Sequence, residues 1–429
     1  MQYYSTNNRL VRVSFMQATL HGQPMDKGLY FPAQIPSLPK SLLQSLKELS
    51  REDLACEVIR PYVGDTIDET SLRKIVAETI AFDIPLVPIM ESVGTLELFH
   101  GPTLAFKDVG ARFMSRCLSY FSQEAGRKKT VLVATSGDTG GAVADAFSGV
   151  DNIDVVILYP SGKVSDIQER QLTCVGQNIT ALEVDGDFDD CQRMVKEAFA
   201  DEELNRQKGL TSANSINIAR WLPQQFFYFF ASQQWKEDQP PVVAVPSGNF
   251  GNLCAGLLSF VSGLPAKHFI AACNANDVVY QYFQTGRLNP KPARPTLSNA
   301  MDVGAPSNFC RMLELFGNDH QAIKKVVSAA TISDEETREA IQQVRQETGY
   351  VLDPHGAVGY ASLQRFLHMH PDSKGYFLET AHPIKFDIGP SGDQLQQIPP
   401  AIEHLLNKEK KSIRISANSE VLKEFLLSS

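Results

Sequence analysis

The sequence predicts an α/β fold built on parallel sheet, and three observations carry that prediction. From Val131 onward, short β-branched runs alternate with longer amphipathic segments, the rhythm of parallel strands covered by helices. Two of those runs, VLVA and VVAV, pass directly into glycine-rich turns that open helices, TSGDTGGAVADAF and PSGNFGNLCAGLL. A chain of 429 residues also exceeds one ordinary core of ~100 to 200 residues, so two or three lobes are expected.

Taken in order, residues 1–90 read as helices and turns without a clear sheet rhythm, a helical or mixed N-terminal region. Strands are then expected at Val131–Ala134, Val155–Tyr159, Leu182–Val184, Val242–Val245 and Phe269–Ala272. The segment after Asp187, FDDCQRMVKEAF, sets Phe188, Cys191, Met194, Val195, Ala198 and Phe199 on one face, with acidic residues in the first turn where the helix dipole favours them. SDEETREAIQQVRQETG opens with Ser333 and Glu336 as a capping box and closes on Gly349. QQWKEDQPP, ending at Pro241, reads as a hinge, and LNPKPARPTL is too proline-rich for either periodic element. These breaks divide the chain into 1–90, a smaller α/β lobe at 91–240 and a larger one at 241–429. KEKK at Lys408–Lys411 reads as a solvated charge run.

Composition excludes several classes of function. A net charge of -9 speaks against a general nucleic-acid role, because phosphate backbones demand clustered cations. No run of about 18 apolar residues and no N-terminal apolar core occur, so membrane insertion and export are not expected and a cytoplasmic location is. Seven cysteines without a C-x-x-C pair fit reduced thiols better than a disulfide framework or zinc site, and no metal is implied. His368 and His370 lack acidic or thiol neighbours and read as a surface helix end.

Chemistry enters with HGPTLAFKDVGARF. Phe106, Gly110, Phe113, Met114, Cys117 and Phe121 recur at helical spacing, which sets Lys107 at a helix start beside a core edge. There it is either a snorkelling lysine or a desolvated amine that is readily deprotonated and nucleophilic. Each glycine turn is either chain reversal or an anion cradle of backbone amides at a helix N-terminus. Neither matches G-x-G-x-x-G or a P-loop, so nucleotide binding is not supported. Two cradles and one such lysine together are what pyridoxal 5'-phosphate requires: an amine for its aldehyde, amides for its phosphate and a second anion site for a substrate carboxylate. Thr380, ending an apolar run in GYFLETAHPIKF, either meets the ring nitrogen or is satisfied by backbone.

HGPTLAFKDVGARFM, TSGDTGGAVADAF, NSINIAR, VPSGNFGN, TLSNAMDV and TAHPIKF together resemble the threonine synthase family, in its bacterial and fungal branch. SFMQATLHGQPMDKGLYFP is similar to that family's N-terminal signature. The resemblance implies the two-lobed α/β fold of the tryptophan synthase β-subunit group (fold type II) of pyridoxal phosphate enzymes, with an additional N-terminal region. It also implies conversion of O-phospho-L-homoserine and water to L-threonine and phosphate. It makes Lys107 the Schiff-base lysine, gives Gly248, Asn249, Phe250, Gly251 and Asn252 to the cofactor phosphate, and sets Thr380 at the ring nitrogen. Ser136, Gly137, Asp138 and Thr139 are implied for the substrate carboxylate. Lys163, Asn214, Ser215, Asn217 and Arg220 are implied for the substrate phosphate. The chain departs from relatives at Ser161, where some carry a basic residue, at Asp166, where some carry proline, and at Lys27, where glycine is common. A turn tolerates Lys27 unless its φ is positive.

Rival readings within the fold are a serine or threonine dehydratase and a phospho-homoserine lyase. Dehydratases tend to read S-F-K-x-R-G where this chain reads A-F-K-D-V-G. A noncatalytic cofactor-binding module is the rival from another class. Monomer and homodimer both stay open, as does the choice between lid and static connector for the proline-rich loop.

Overall fold

A computed structural model describes residues 1–125, 128–176, 178–386 and 398–428. Two sheets dominate. The larger has six strands in the order Val327–Thr331, His268–Cys273, Val242–Pro246, Gly375–Glu379, Val93–Glu97 and Leu86–Met90. All its neighbours are parallel except the last pair. The smaller has five parallel strands in the order Ile413–Ser416, Ile179–Asp185, Ile153–Pro160, Lys129–Ala134 and Leu210–Ser212. Each of the five expected strands is present and is longer than expected at one or both ends. Their centres are buried on both faces, Val131 to Val133 and Val242 to Val245 being at most 1% exposed, as parallel strands with helices on either side must be.

Strand pairing is not confined by chain positions 90 and 240. Leu86–Met90 and Val93–Glu97 complete the larger sheet, and Ile413–Ser416 completes the smaller one. A strand is recruited by whichever sheet offers it an unpaired edge, whatever its place in the sequence.

Both expected helix signatures are realised. Asp187 caps Phe188–Ala200, and Ser333 and Glu336 form the box that opens Asp334–Thr348, which ends on Gly349 in the left-handed region. The proline-rich segment runs without regular structure and is pinned along its length. Lys291 donates its N–H to Gly304, Arg294 exchanges hydrogen bonds with Asn276, and Leu297 donates to Asp334. His368 and His370 lie exposed at the end of Pro354–Met369. All seven cysteines are free. Among the described residues no helix is long and apolar enough to cross a membrane.

The N-terminal region differs from expectation by containing a three-stranded antiparallel sheet, Asn8–Ser14, Gln2–Ser5 and Tyr30–Pro32. Its pattern hid it, because Tyr3, Tyr4 and Ser5 are all buried while Asn8 to Leu10 are all exposed, so neither strand alternates. The helix Phe15–His21 that follows braces the Lys107 helix, with the Phe15 ring 6.4 Å from Phe113 and 6.1 Å from Phe121. Lys27 occupies φ 64; the left-handed conformation costs a side-chain-bearing residue ~1 kcal/mol. KEKK also differs. Lys410 pairs with Asp166 at 2.8 Å and Glu169 at 2.5 Å, while the Arg170 guanidinium donates to the carbonyls of Leu405, Leu406 and Lys408. The run thus docks on the helix Asp166–Thr173.

Candidate active site

Lys107 is the first residue of the helix Lys107–Ala125. A short antiparallel stitch holds that start: Ala105 bridges Ala381, the Phe106 N–H donates to Thr380 O at 2.9 Å, and the His382 N–H donates to Leu104 O at 3.0 Å. Leu104 takes φ 58 to make the turn. The Lys107 amine lies 4.6 Å from the centroid of the Phe106 ring. Burial, then the positive charge of Arg220, push its pKa down to about 8, against the opposing pull of Asp138. A loss of hydration penalises the ammonium form and leaves an amine able to act as nucleophile or base near neutrality. The stripe below it, Phe113, Met114, Cys117 and Phe121, is fully buried.

Both glycine turns lie at the carboxyl ends of parallel strands, where ligands bind in open α/β sheets. In the larger sheet, Val242–Pro246 leads through Gly248 and Asn249 to Phe250, which takes φ 63 as the residue before the helix Gly251–Val261. A Cβ on Gly248 would fall 2.6 Å from Met301 Cα, so only glycine passes the backbone of the turn Asn299–Met301. Asn249 donates to Ser215 Oγ at 2.9 Å and accepts from the Ser307 N–H. Asn252 Oδ1 accepts from Tyr228, and its Nδ2 is buried without a partner. Thr380 follows the neighbouring strand Gly375–Glu379 and is 6% exposed.

In the smaller sheet, Lys129–Ala134 leads to Ser136 and Gly137, then to the helix Asp138–Phe147. Thr135 Oγ1 accepts from the N–H groups of Gly137 and Gly140, shaping the turn from inside. Gly137 has φ 139, and a Cβ there would meet Gln168 at 2.4 Å. The Asp138 carboxylate pairs with Lys385 at 2.7 Å and accepts from Gln168 at 3.0 Å. Burial would raise its pKa, but Lys385 overrides burial and holds it below the usual carboxylate range.

NSINIAR ties the two turns together. Asn214 donates to Ala134 O at 2.9 Å beside the first, and Ser215 Oγ accepts from Asn249 of the second. Asn217 is fully buried, its amide spent on Thr19 O and Ser212 O while its oxygen caps the helix Ile218–Trp221. Arg220 is 2% exposed, donates to Ala213 O and leaves Nε unpartnered; burial lowers its pKa to about 10. A Cβ on Gly110 would fall 2.7 Å from Arg220 O, so that glycine admits the arginine against the Lys107 helix. Lys163 is exposed, and its backbone N–H donates to Pro160 O. Ser161 donates to Glu183, and Asp166 pairs with Arg170 and Lys410.

Several residues around the site carry no sequence signal of their own. Lys385 sits inside TAHPIKF yet reads as one lysine in a polar tail. Arg311 is fully buried, donates to the carbonyls of Ser215 and Ile216 and stacks 4.3 Å over Trp221, bracing the NSINIAR turn. Behind Thr380, the Glu379 carboxyl accepts from the Asp353 N–H and its pKa rises well above the usual range, first by burial and then by the charge of Asp353. His355 Nδ1 bonds Asp353 at 2.5 Å while its Nε2 accepts from the Ala300 N–H at 3.2 Å, linking that carboxylate to the turn beside Gly248. Spacings of this kind join distant segments and are invisible until the sheets form.

Comparison with known proteins gives this geometry a family. Residues 95–375 match the model described as pyridoxal-phosphate dependent enzyme, and residues 2–80 match the one described as threonine synthase N terminus. Threonine synthase of Escherichia coli is 44% identical over 388 residues, 90% of this chain and 89% of that protein. The crystal structure of the Escherichia coli threonine synthase superposes with a TM-score of 0.92 at 40% identity, covering 100% of both chains. The PLP-bound threonine synthase of Brucella melitensis superposes at 0.90 and 33% identity, covering 99% of this chain and 98% of that one. The match takes in both the enzyme core and the N-terminal region that braces it, and the chain belongs to the threonine synthase family of pyridoxal-phosphate-dependent enzymes.

Proposed function

We propose that this chain converts O-phospho-L-homoserine and water to L-threonine and inorganic phosphate, with Lys107 as the residue that binds the cofactor and moves protons at the substrate. The observation that carries the reading is the Lys107 amine, desolvated at a helix start, with its pKa pushed down to about 8 and two glycine turns opening helices nearby. The donor set fits pyridoxal 5'-phosphate. Gly248 has no room for a side chain, Asn252 Nδ2 is a buried donor without a partner, and the first turn of the helix Gly251–Val261 has N–H groups free for a phosphate. When bound, the cofactor supplies an aldehyde for an amine and a ring that withdraws electrons from the substrate Cα.

The residues divide the remaining work. Gly248 to Asn252 hold the cofactor phosphate, and Thr380 meets the ring nitrogen with a hydroxyl, which does not favour a charged ring as a carboxylate would. Ser136, Gly137, Asp138 and Thr139 hold the substrate α-carboxylate through their backbone and hydroxyl donors. Lys107 Nζ, partly neutral near pH 7, takes the Cα proton. Loss of a Cβ proton then expels the γ-phosphate, Cγ is reprotonated, and water attacks Cβ. Asn214, Ser215 and the Arg220 guanidinium are the donors for the leaving phosphate, Asn217 holds their turn in shape, and Lys163 adds positive potential from outside. A positioned proton carrier contributes ~10² to 10⁴ in rate, and electrostatic stabilisation of a leaving phosphate is of similar size.

The test is product analysis. Holoprotein given O-phospho-L-homoserine should release threonine and phosphate in equal amounts. Phosphate with 2-oxobutyrate would assign the lyase instead, and a yellow protein without phosphate release would assign a noncatalytic module.

A further inference from the structure

The turn given to the substrate carboxylate contains a carboxylate of its own. Asp138 opens the helix whose N-terminus forms the cradle, and an ionised side chain there would repel the anion that the amides attract. Lys385 resolves the conflict. Its ammonium lies 2.7 Å from Asp138 Oδ1, both side chains being at most 4% exposed, and donates to Thr103 O at 2.9 Å. Gln168 holds the same Asp138 oxygen at 3.0 Å, and Gln171 donates to the same Thr103 carbonyl at 3.0 Å. Thr103 belongs to the loop that leads into Lys107, and Lys385 follows Thr380 in TAHPIKF. One buried ammonium therefore joins the Lys107 loop, the Ser136–Thr139 turn and the segment after Thr380.

We propose that Lys385 is a positioning residue that neutralises Asp138, and that this neutralisation makes the turn Ser136–Thr139 selective for a carboxylate-bearing substrate. The inference rests on the assignment of that turn to the α-carboxylate. A buried pair that only stabilised the fold would behave differently, since well-packed apolar replacements of such pairs are often neutral.

The experiment uses holoenzyme and two readouts, steady-state kinetics with O-phospho-L-homoserine and equilibrium binding of L-threonine followed by cofactor absorbance. Lys385→Met should raise KM and the L-threonine Kd at least tenfold while kcat falls less than threefold. Adding Asp138→Asn to Lys385→Met should return both constants to within threefold of wild type, because the stranded negative charge is gone. Should the Met variant fail to fold, Lys385→Gln with and without Asp138→Asn makes the same comparison. Wild-type constants in the single variant, or a double variant as impaired as the single, would overturn the inference. Ser136→Ala and Thr139→Val separate the two claims. If neither moves KM, the carboxylate assignment itself fails; if either does while Lys385 behaves as in the overturning case, only the role of Lys385 is lost.

Discussion

The backbone N–H of Phe106 donates to Thr380 O at 2.9 Å, so the residue before Lys107 is tied directly to the residue assigned to the cofactor ring. The two contacts proposed at opposite edges of the cofactor are set by one peptide pairing. Neither can shift without the other, which is the preorganisation a covalent cofactor site requires.

Lys107→Ala should abolish turnover and the visible cofactor band together. Borohydride reduction of wild type followed by peptide mapping should find the pyridoxyl adduct at position 107. Full activity in the variant, or an adduct elsewhere, would remove the central assignment.

The same lysine has a stability signature in cofactor-free protein. Its folded pKa, about 8, lies below the unfolded value, so the protonated form disfavours folding. Lys107→Met should therefore be more stable than wild type below pH 8, and that advantage should fade as pH rises from about 8 toward 10.5. Urea unfolding of both apoproteins at pH 7 and pH 10 measures it; a difference independent of pH contradicts the low pKa.

Gly248→Ala should weaken cofactor binding at least tenfold with little change in circular dichroism, because the added Cβ would press on Met301 Cα at 2.6 Å. Spectroscopic titration of apoprotein with pyridoxal 5'-phosphate reads the effect. Unchanged affinity would mean that the turn Asn299–Met301 yields freely.

Lys163→Ala should raise KM a few-fold at low salt and leave kcat unchanged, since an exposed ammonium acts on a phosphorylated substrate at long range and is screened by ions. Kinetics at two ionic strengths decide it. An unchanged kcat/KM at low salt would take Lys163 out of the phosphate set.

Lys27→Gly should raise stability by up to ~1 kcal/mol by relieving the left-handed backbone at φ 64. Thermal unfolding of the two proteins is sufficient, and a destabilised glycine variant would mean that Lys27 side-chain contacts outweigh the strain.

The parallel strands and both glycine turns were legible in the sequence because each is a local signal: a β-branched run, then small residues, then a helical pattern. The Lys107 helix was legible for the same reason. Lys385, Arg311 and His355 were not, since their partners, Asp138, Ser215 and Asp353 with Ala300, mostly lie on other elements and no residue type announces such a contact. Asn217 illustrates the converse. Its motif drew it into the phosphate set, yet its amide is consumed by Thr19 and Ser212. The N-terminal sheet escaped because Gln2–Ser5 and Tyr30–Pro32 bury consecutive residues while Asn8–Ser14 buries none. KEKK escaped because a charge run and a docking segment have the same composition.

The strand Ile413–Ser416 pairs with Ile179–Asp185, and Leu422 and Leu426 pack against the same cluster as Cys191 and Met194. During synthesis, at ~5 to 20 residues per second, the edge at Ile179–Asp185 therefore waits more than two hundred residues for its neighbour. Until then the nascent chain carries an uncovered row of backbone donors and acceptors, a surface that other polypeptides can join. A ribosome stalled before position 413 would release a chain that holds Lys107 and both turns yet remains prone to aggregate, so solubility in the cell depends on residues that contribute nothing to the chemistry.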